Sequence, residues 1–187
     1  MNNLSFDNRE GYIWYNGNIL EWKNANVHVL NHGLHYASCV FEGERAYRGK
    51  IFETVKHTQR LFNSAKSLDM KIPFSEKEIV KAKEILLEKN SLSDAYVRPV
   101  VWRGSEMMAV SAQSTKIHVA IAVWEWPSYF DPEQKMQGIK LDIAKWRRPS
   151  PDCGPVLAKA AGLYMICTLS KHEAEAKGYS DALMLDY

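Results

Sequence analysis

The chain has 187 residues, 46% of them hydrophobic and 25% charged, and a formal net charge of +2 at pH 7. That composition belongs to a globular protein long enough for one to one and a half domains. So small a charge offers no basic field to nucleic acid or an acidic membrane, and no apolar run approaches the length of a bilayer span.

Met1-Asn-Asn-Leu-Ser lacks the charged-then-apolar form of a secretory signal. Cys39, Cys153 and Cys167 have neither metal nor disulfide spacing, and we read them as reduced thiols of a cytoplasmic protein. The first element is a β-hairpin over 12–22. Its aromatic-rich runs flank Asn16-Gly17, a pair that accepts the positive φ of a type I′ turn. Residues 27–47 read as a strand, a Gly- and His-rich bend and a second strand. Within them, His32 and His35 have no third ligand spaced to make a metal site. Cys39 near His35 has nothing local to lower its thiol pKa. Glu42 and Glu44 fit an acid–base pair or, equally, alternate residues on one charged strand face.

A helix over 56–70 turns Leu61, Phe62, Ala65 and Leu68 to the core, and pattern alone leaves Arg60 on the surface. The next helix opens with a capping box, Ser75 at the N-cap and Glu78 at N3. Ile79, Ala82, Ile85 and Leu86 are its expected buried side, and Lys77, Lys81, Glu84 and Lys89 its solvated one. Strands are expected over 95–103, 117–125 and 138–146. In the first, alternation puts Tyr96 and Arg98 on one face, where an arginine without an anion to meet would be costly. Met107, Met108 and Val110 follow in a loop, as pocket lining or core filling alike. After a loop broken by Pro149, Pro151, Gly154 and Pro155, a helix ends at Gly178 and a short strand covers 182–185. Its expected inner side holds Leu163, Ile166, Cys167, Leu169 and Ala174. Lys159 stands at the loop-to-helix junction among Ala158, Ala160, Ala161 and Gly162. From composition alone it is one of 24 Lys and Arg. In a cleft, desolvation would make it a nucleophilic amine.

Four segments carry a resemblance that goes further. The run AKAAGLY (158–164), with EAEAKGYSDALMLD (173–186) after it, resembles the lysine segment of the branched-chain amino acid aminotransferases. These are fold-type-IV pyridoxal-phosphate enzymes. HGLHYASCVFEGERAY (32–47), HTQRL (57–61) and AYVRP (95–99) are similar to other segments of that family, and the likeness runs from Tyr12 to Asp186. It implies an α+β, aminotransferase class IV (D-amino acid aminotransferase-like) fold. An N-terminal domain would occupy 1–130, a linker 131–137, and the beginning of a cofactor-binding domain 138–187. It implies pyridoxal phosphate bonded to Lys159 as the catalytic residue, with Arg60 on the phosphate and Tyr164 beside the cofactor. Tyr36, Phe41, Gly43, Arg45, Tyr96, Arg98 and Tyr129 would form the substrate pocket. The implied reaction moves the amino group between branched-chain L-amino acids and 2-oxoglutarate, in a homodimer or larger homo-oligomer without metal, nucleic acid or membrane. D-amino acid aminotransferase, aminodeoxychorismate lyase and a non-catalytic fragment are the alternatives; the FEGERAY and AYVRP segments favour the branched-chain members. Leu163 departs from the Asn of many members. The family also continues beyond the point matched by Tyr187, so the 187 residues alone are expected to be inactive.

Overall fold

A computed structural model describes residues 5–126 and 132–187. The hairpin forms as its turn dipeptide requires. Strands β1 (Tyr12–Tyr15) and β2 (Asn18–Glu21) pair in antiparallel register, with Asn16 at φ 48° and Gly17 at φ 91° between them. Where the bend was expected stands a short helix, α1 (His32–Tyr36). Then follow β3 (Cys39–Phe41), β4 (Glu44–Tyr47) and β5 (Lys50–Ile51). Helices α2 (Thr54–Ser67) and α3 (Glu76–Lys89) come next, and the capping box of α3 is fully formed. The long strands β6 (Ala95–Arg103) and β7 (Ile117–Trp124) complete a seven-stranded antiparallel sheet of order β2-β1-β7-β6-β4-β5, with β3 also on β6.

β3 and β4 are one strand with a local interruption. Cys39 pairs with Trp102 and Glu44 with Val97, so the register passes unbroken through Glu42 and Gly43. The ladder is interrupted because Pro99, opposite Glu42, has no N–H to give; its carbonyl still accepts the Glu42 N–H at 2.9 Å. Alternation then sorts the side chains cleanly. Val40, Glu42, Glu44 and Ala46 turn inward beneath α2 and α3, together with Val97, Val101, Val119 and Ile121. Phe41, Arg45, Tyr96 and Arg98 turn to the opposite, outer face and are partly exposed.

Glu42 and Glu44 do share one face, but it is the buried one, and each meets a cation there. Lys83 of α3 approaches Glu44 at 2.6 Å with both side chains fully buried, a charge contact flanked by Thr58 at 2.7 Å and Thr54 at 3.3 Å. The buried side of α3 is therefore Ile79, Ala82, Lys83, Leu86 and Leu87, while Ile85, expected inside, is 38% exposed. Lys83 follows Ile79 by one turn, and Glu44 holds the helix at that rotation.

A short helix, α4 (Pro132–Gln137), lies in the stretch read as linker. Of the strand expected over 138–146 only β8 (Leu141–Ile143) forms. A 3-10 turn at Ala161–Tyr164 leads into α5 (Met165–Ala176), and Gly178 takes φ 81° beyond its end. β9 (Asp181–Leu183) pairs parallel with β8. α5 buries only Ser170 and Ala174. Leu169 and Cys167, expected inside, are exposed because no element among the described residues covers that side. No helix among the described residues is long and apolar enough to cross a membrane.

Candidate active site

Lys159 is brought to the outer face of the sheet by its neighbours. Ala158 and Ala160 are buried in the core, so the extended segment turns the side chain between them the other way. The segment lies along β3: the Phe41 N–H donates to the Lys159 carbonyl at 3.1 Å, and Val40 bridges Ala160. On its other side the Lys159 N–H donates to Ser64 Oγ of α2 at 2.9 Å. Both backbone groups of the lysine are thus fixed, and alanines flank it because only small side chains fit that close approach.

The Lys159 amine meets aromatic rings and a hydroxyl. Nζ donates to Tyr164 Oη at 2.6 Å and lies 4.9 Å from the Phe41 ring centre and 5.0 Å from that of Tyr164. The two rings are 4.8 Å apart. The 3-10 turn folds Tyr164 back over the lysine five positions earlier. The Arg98 guanidinium approaches the Phe41 ring at 4.7 Å and donates from Nη2 to Tyr96 Oη at 2.8 Å. Gly43 makes room for this: a Cβ there would lie 2.1 Å from Tyr96 Oη. Gly43 contributes space, which only a residue without a Cβ can give.

Arg60 reaches the site from α2. It grips Glu42 bidentately, Nε to Oε1 at 2.6 Å and Nη2 to Oε2 at 2.7 Å, and His57 Nδ1 reaches Oε2 at 2.9 Å. Burial works to raise the Glu42 carboxyl, but the hydrogen bonds and charges of Arg60 and His57 outweigh it and bring its pKa below the usual carboxylate value. The hydrogen bond with Glu42 in turn raises Arg60, and Tyr164 is near enough to act on the same charge.

Lys159, Tyr164, Phe41, Arg98, Tyr96 and Gly43 are thus linked by direct contact or close approach. Arg45 stands opposite Tyr96 on the outer face, where its Nη1 donates to the Trp126 carbonyl at 3.2 Å. Tyr36 is engaged elsewhere, 45% exposed and stacked 4.5 Å from the His32 ring. Tyr129 lies outside the described residues. Burial pushes the Cys39 thiol up to about 11 against the pull of Arg98. His35 is bonded to the Val29 carbonyl. Two residues that sequence reasoning left without a role in the site are Ser64, behind the lysine backbone, and His57, behind Glu42. Ser64 follows Arg60 by one turn of α2, which was the available signal.

Two cavities open here. One of about 380 Å³ is lined by Lys159, Tyr164, Arg148, Cys167 and Ser170. The other, about 420 Å³, lies on the outer face among Arg98, Tyr15, Leu34, Val100 and Trp102 and is mostly apolar. A lysine amine between two rings, with Arg98 over an apolar groove, has the chemistry to meet a small anionic molecule with an apolar part.

The chain belongs to the amino-transferase class IV family, whose sequence profile matches residues 39–187. It is 44% identical over 176 residues to the "Probable branched-chain-amino-acid aminotransferase" of Rickettsia typhi, covering 94% of this chain and 60% of that one. It is 42% identical to the branched-chain-amino-acid aminotransferase of Pseudomonas aeruginosa, over 98% of this chain and 61% of that one. The solved Escherichia coli branched-chain amino acid aminotransferase superposes with a TM-score of 0.90 at 36% identity, over 95% of this chain and 60% of that chain. The solved branched-chain aminotransferase of the archaeon Thermoproteus uzoniensis, with norvaline, gives a TM-score of 0.88 at 31% identity and the same coverage. A further solved branched-chain amino acid aminotransferase of this group holds pyridoxamine 5'-phosphate and superposes with a TM-score of 0.90. The chain therefore spans about 60% of the length of these relatives.

Proposed function

We propose that this chain carries the lysine segment and substrate face of a transaminase that exchanges amino groups between branched-chain L-amino acids and 2-oxoglutarate. Its cofactor would be pyridoxal phosphate bonded to Lys159. The observation that carries this reading is the Lys159 amine, fixed at its backbone on both sides and set between Phe41 and Tyr164. The donor set fits the cofactor: an amine for an aldehyde, an arginine for a phosphate dianion, and aromatic rings beside an aromatic ring. Lys159 would hold it by Nζ, Arg60 by its phosphate, and Tyr164 by its hydroxyl.

When bound, pyridoxal phosphate supplies the ring that takes up the electron pair left on the substrate's α-carbon. The chain's own residues do the rest. Once displaced by the incoming amine, Lys159 Nζ would take the proton from the substrate's α-carbon and deliver it to the cofactor's C4′ carbon, with Tyr164 Oη, 2.6 Å away, steadying the amine between the two events. Arg98, with one N–H on Tyr96, offers its others to the carboxylate of the acceptor. Phe41 and the apolar outer groove accept a branched aliphatic side chain and exclude water from it. From the resemblance we assign Gly43 and Arg45 to the same pocket, and carry over a substrate-binding role for Tyr36 and Tyr129. We also infer a first domain over 1–130, a linker over 131–137 and a second domain begun at 138. From the resemblance we also infer self-association into a homodimer or larger homo-oligomer.

The test is a single-turnover half-reaction at saturating pyridoxal phosphate, run on this chain joined to the remaining 40% of one of its relatives, of which it spans 60%. L-leucine, L-isoleucine and L-valine are expected to release their 2-oxo acids faster than L-aspartate or L-alanine release theirs. Lys159→Ala should abolish the release. A preference for D-alanine over L-leucine would sink the branched-chain reading.

A further inference from the structure

The arginine assigned to the phosphate does not stand free; it is held from behind. Four of a guanidinium's five N–H groups form a side edge (Nε and one hydrogen of Nη2) and an end edge (one hydrogen each of Nη1 and Nη2), and the fifth, on Nη1, points to the other side. In Arg60 the side edge is fully engaged by Glu42, at 2.6 and 2.7 Å, and these are the only hydrogen bonds of Arg60 among the described residues. The Arg60 side chain is 52% exposed, whereas that of Glu42 is completely buried. The carboxylate is the fixed member of the pair and the guanidinium the member being aimed. His57, one turn earlier on α2, gives Glu42 a third hydrogen bond at 2.9 Å, and with an ionised carboxylate as acceptor its Nδ1 must carry the hydrogen.

We propose that Glu42 is a positioning residue for anion binding: it clamps the side edge of Arg60 so that the end edge is presented, pre-ordered, to the cofactor phosphate. This rests on the transaminase reading above. The geometry favours positioning over a mere staple between helix and sheet. A free arginine of this exposure samples many rotamers, and ordering it on binding would weaken the anion site. The fork removes that freedom beforehand and leaves a two-donor edge that matches two phosphate oxygens. The same helix sets the spacing, since Ser64 follows Arg60 by one turn and receives the Lys159 N–H. Four residues of α2, about 6 Å of rise, therefore separate the phosphate anchor from the residue holding the lysine backbone.

Positioning and plain electrostatics predict opposite signs. Glu42 carries a negative charge near the anion, so if charge alone mattered, Glu42→Gln would tighten phosphate binding and Glu42→Asp would leave it unchanged. If Glu42 positions, both variants weaken it. The glutamine amide turns an N–H against the guanidinium, and the aspartate is one methylene short of it. The experiment titrates the 187-residue chain with pyridoxal phosphate and with pyridoxal, which lacks the phosphate, and follows the absorbance of the lysine-bound cofactor. Borohydride trapping at Lys159 confirms the site, and thermal melts confirm the fold.

For both variants we expect about tenfold or greater loss of affinity for pyridoxal phosphate, with pyridoxal binding changed less than about twofold. In an Arg60→Ala background, Glu42→Gln should cost nothing further. Unchanged discrimination between the two ligands in both variants, or tighter pyridoxal phosphate in Glu42→Gln, overturns the proposal. So does an equal loss for both ligands, which is what a purely structural role gives. If Arg60→Ala removes the discrimination and the Glu42 variants do not, the Glu42 assignment alone fails. If the unsubstituted chain does not discriminate or is trapped at another lysine, the cofactor reading fails and the proposal with it.

Discussion

Gly43→Ala tests the packing that holds Arg98. A Cβ at position 43 would lie 2.1 Å from Tyr96 Oη and 3.0 Å from its Cζ. The ring has little room to retreat, because it packs on Trp124 at 4.9 Å and Trp126 at 5.5 Å between centroids. Overpacking of this kind costs ~1–3 kcal/mol, and the shift also disturbs the hydroxyl that accepts from Arg98. Tyr96→Phe alone should cost ~1 kcal/mol for the lost hydrogen bond. It removes the 2.1 Å approach, however, and leaves only the 3.0 Å one. The double variant should therefore be less destabilised than the sum of the singles, by ~1 kcal/mol or more. Urea unfolding followed by tryptophan fluorescence measures all three, with Trp124 and Trp126 as reporters beside the site. Additivity within ~0.3–0.5 kcal/mol would show that Gly43 does not hold space for Tyr96.

Lys83→Met leaves the buried Glu44 carboxylate unpaired and should destabilise by ~3–5 kcal/mol, whereas Lys83→Met with Glu44→Leu should come close to neutral. Equal losses in the two variants, measured by urea unfolding, would contradict the ion pair. Glu42 also gives a pH signature. Its folded pKa lies below the ordinary 4.5, so its contribution is complete above 4.5 and is lost as pH falls through the lowered value. Between neutral pH and pH 3, Glu42→Gln should lose less stability than the unsubstituted chain, read as the shift in urea midpoint. An acid limb of the same steepness would refute the Glu42–Arg60 linkage.

Local chemistry was what the sequence disclosed best. Asn16-Gly17 makes the hairpin and Ser75-x-x-Glu78 the helix start, because each acts on its own neighbours. The alternation of 39–47 was equally readable, including that Glu42 and Glu44 share a face. Which face the helices would cover was not, since that depends on packing against Val97 and Val101 far along the chain. For the same reason nothing in the sequence singled out Lys83: its partner is on another element, and only the assembled core brings the two within 2.6 Å. The parallel pairing of Leu141–Ile143 with Asp181–Leu183 joins segments forty residues apart and leaves no local trace. In the site, the rings and cations around Lys159 were legible only through the resemblance. The clamps behind them, Ser64 and Glu42, needed the fold.

The central claim is that Lys159 is the amine that takes the cofactor, and reductive trapping tests it most directly. The chain is mixed with pyridoxal phosphate, reduced with borohydride and mapped by peptide mass. The account predicts the pyridoxyl group on Lys159 ahead of every other lysine, and no preferred site in Lys159→Ala. Preferential labelling of Lys145 or Lys171, with Lys159 unmodified, would contradict it.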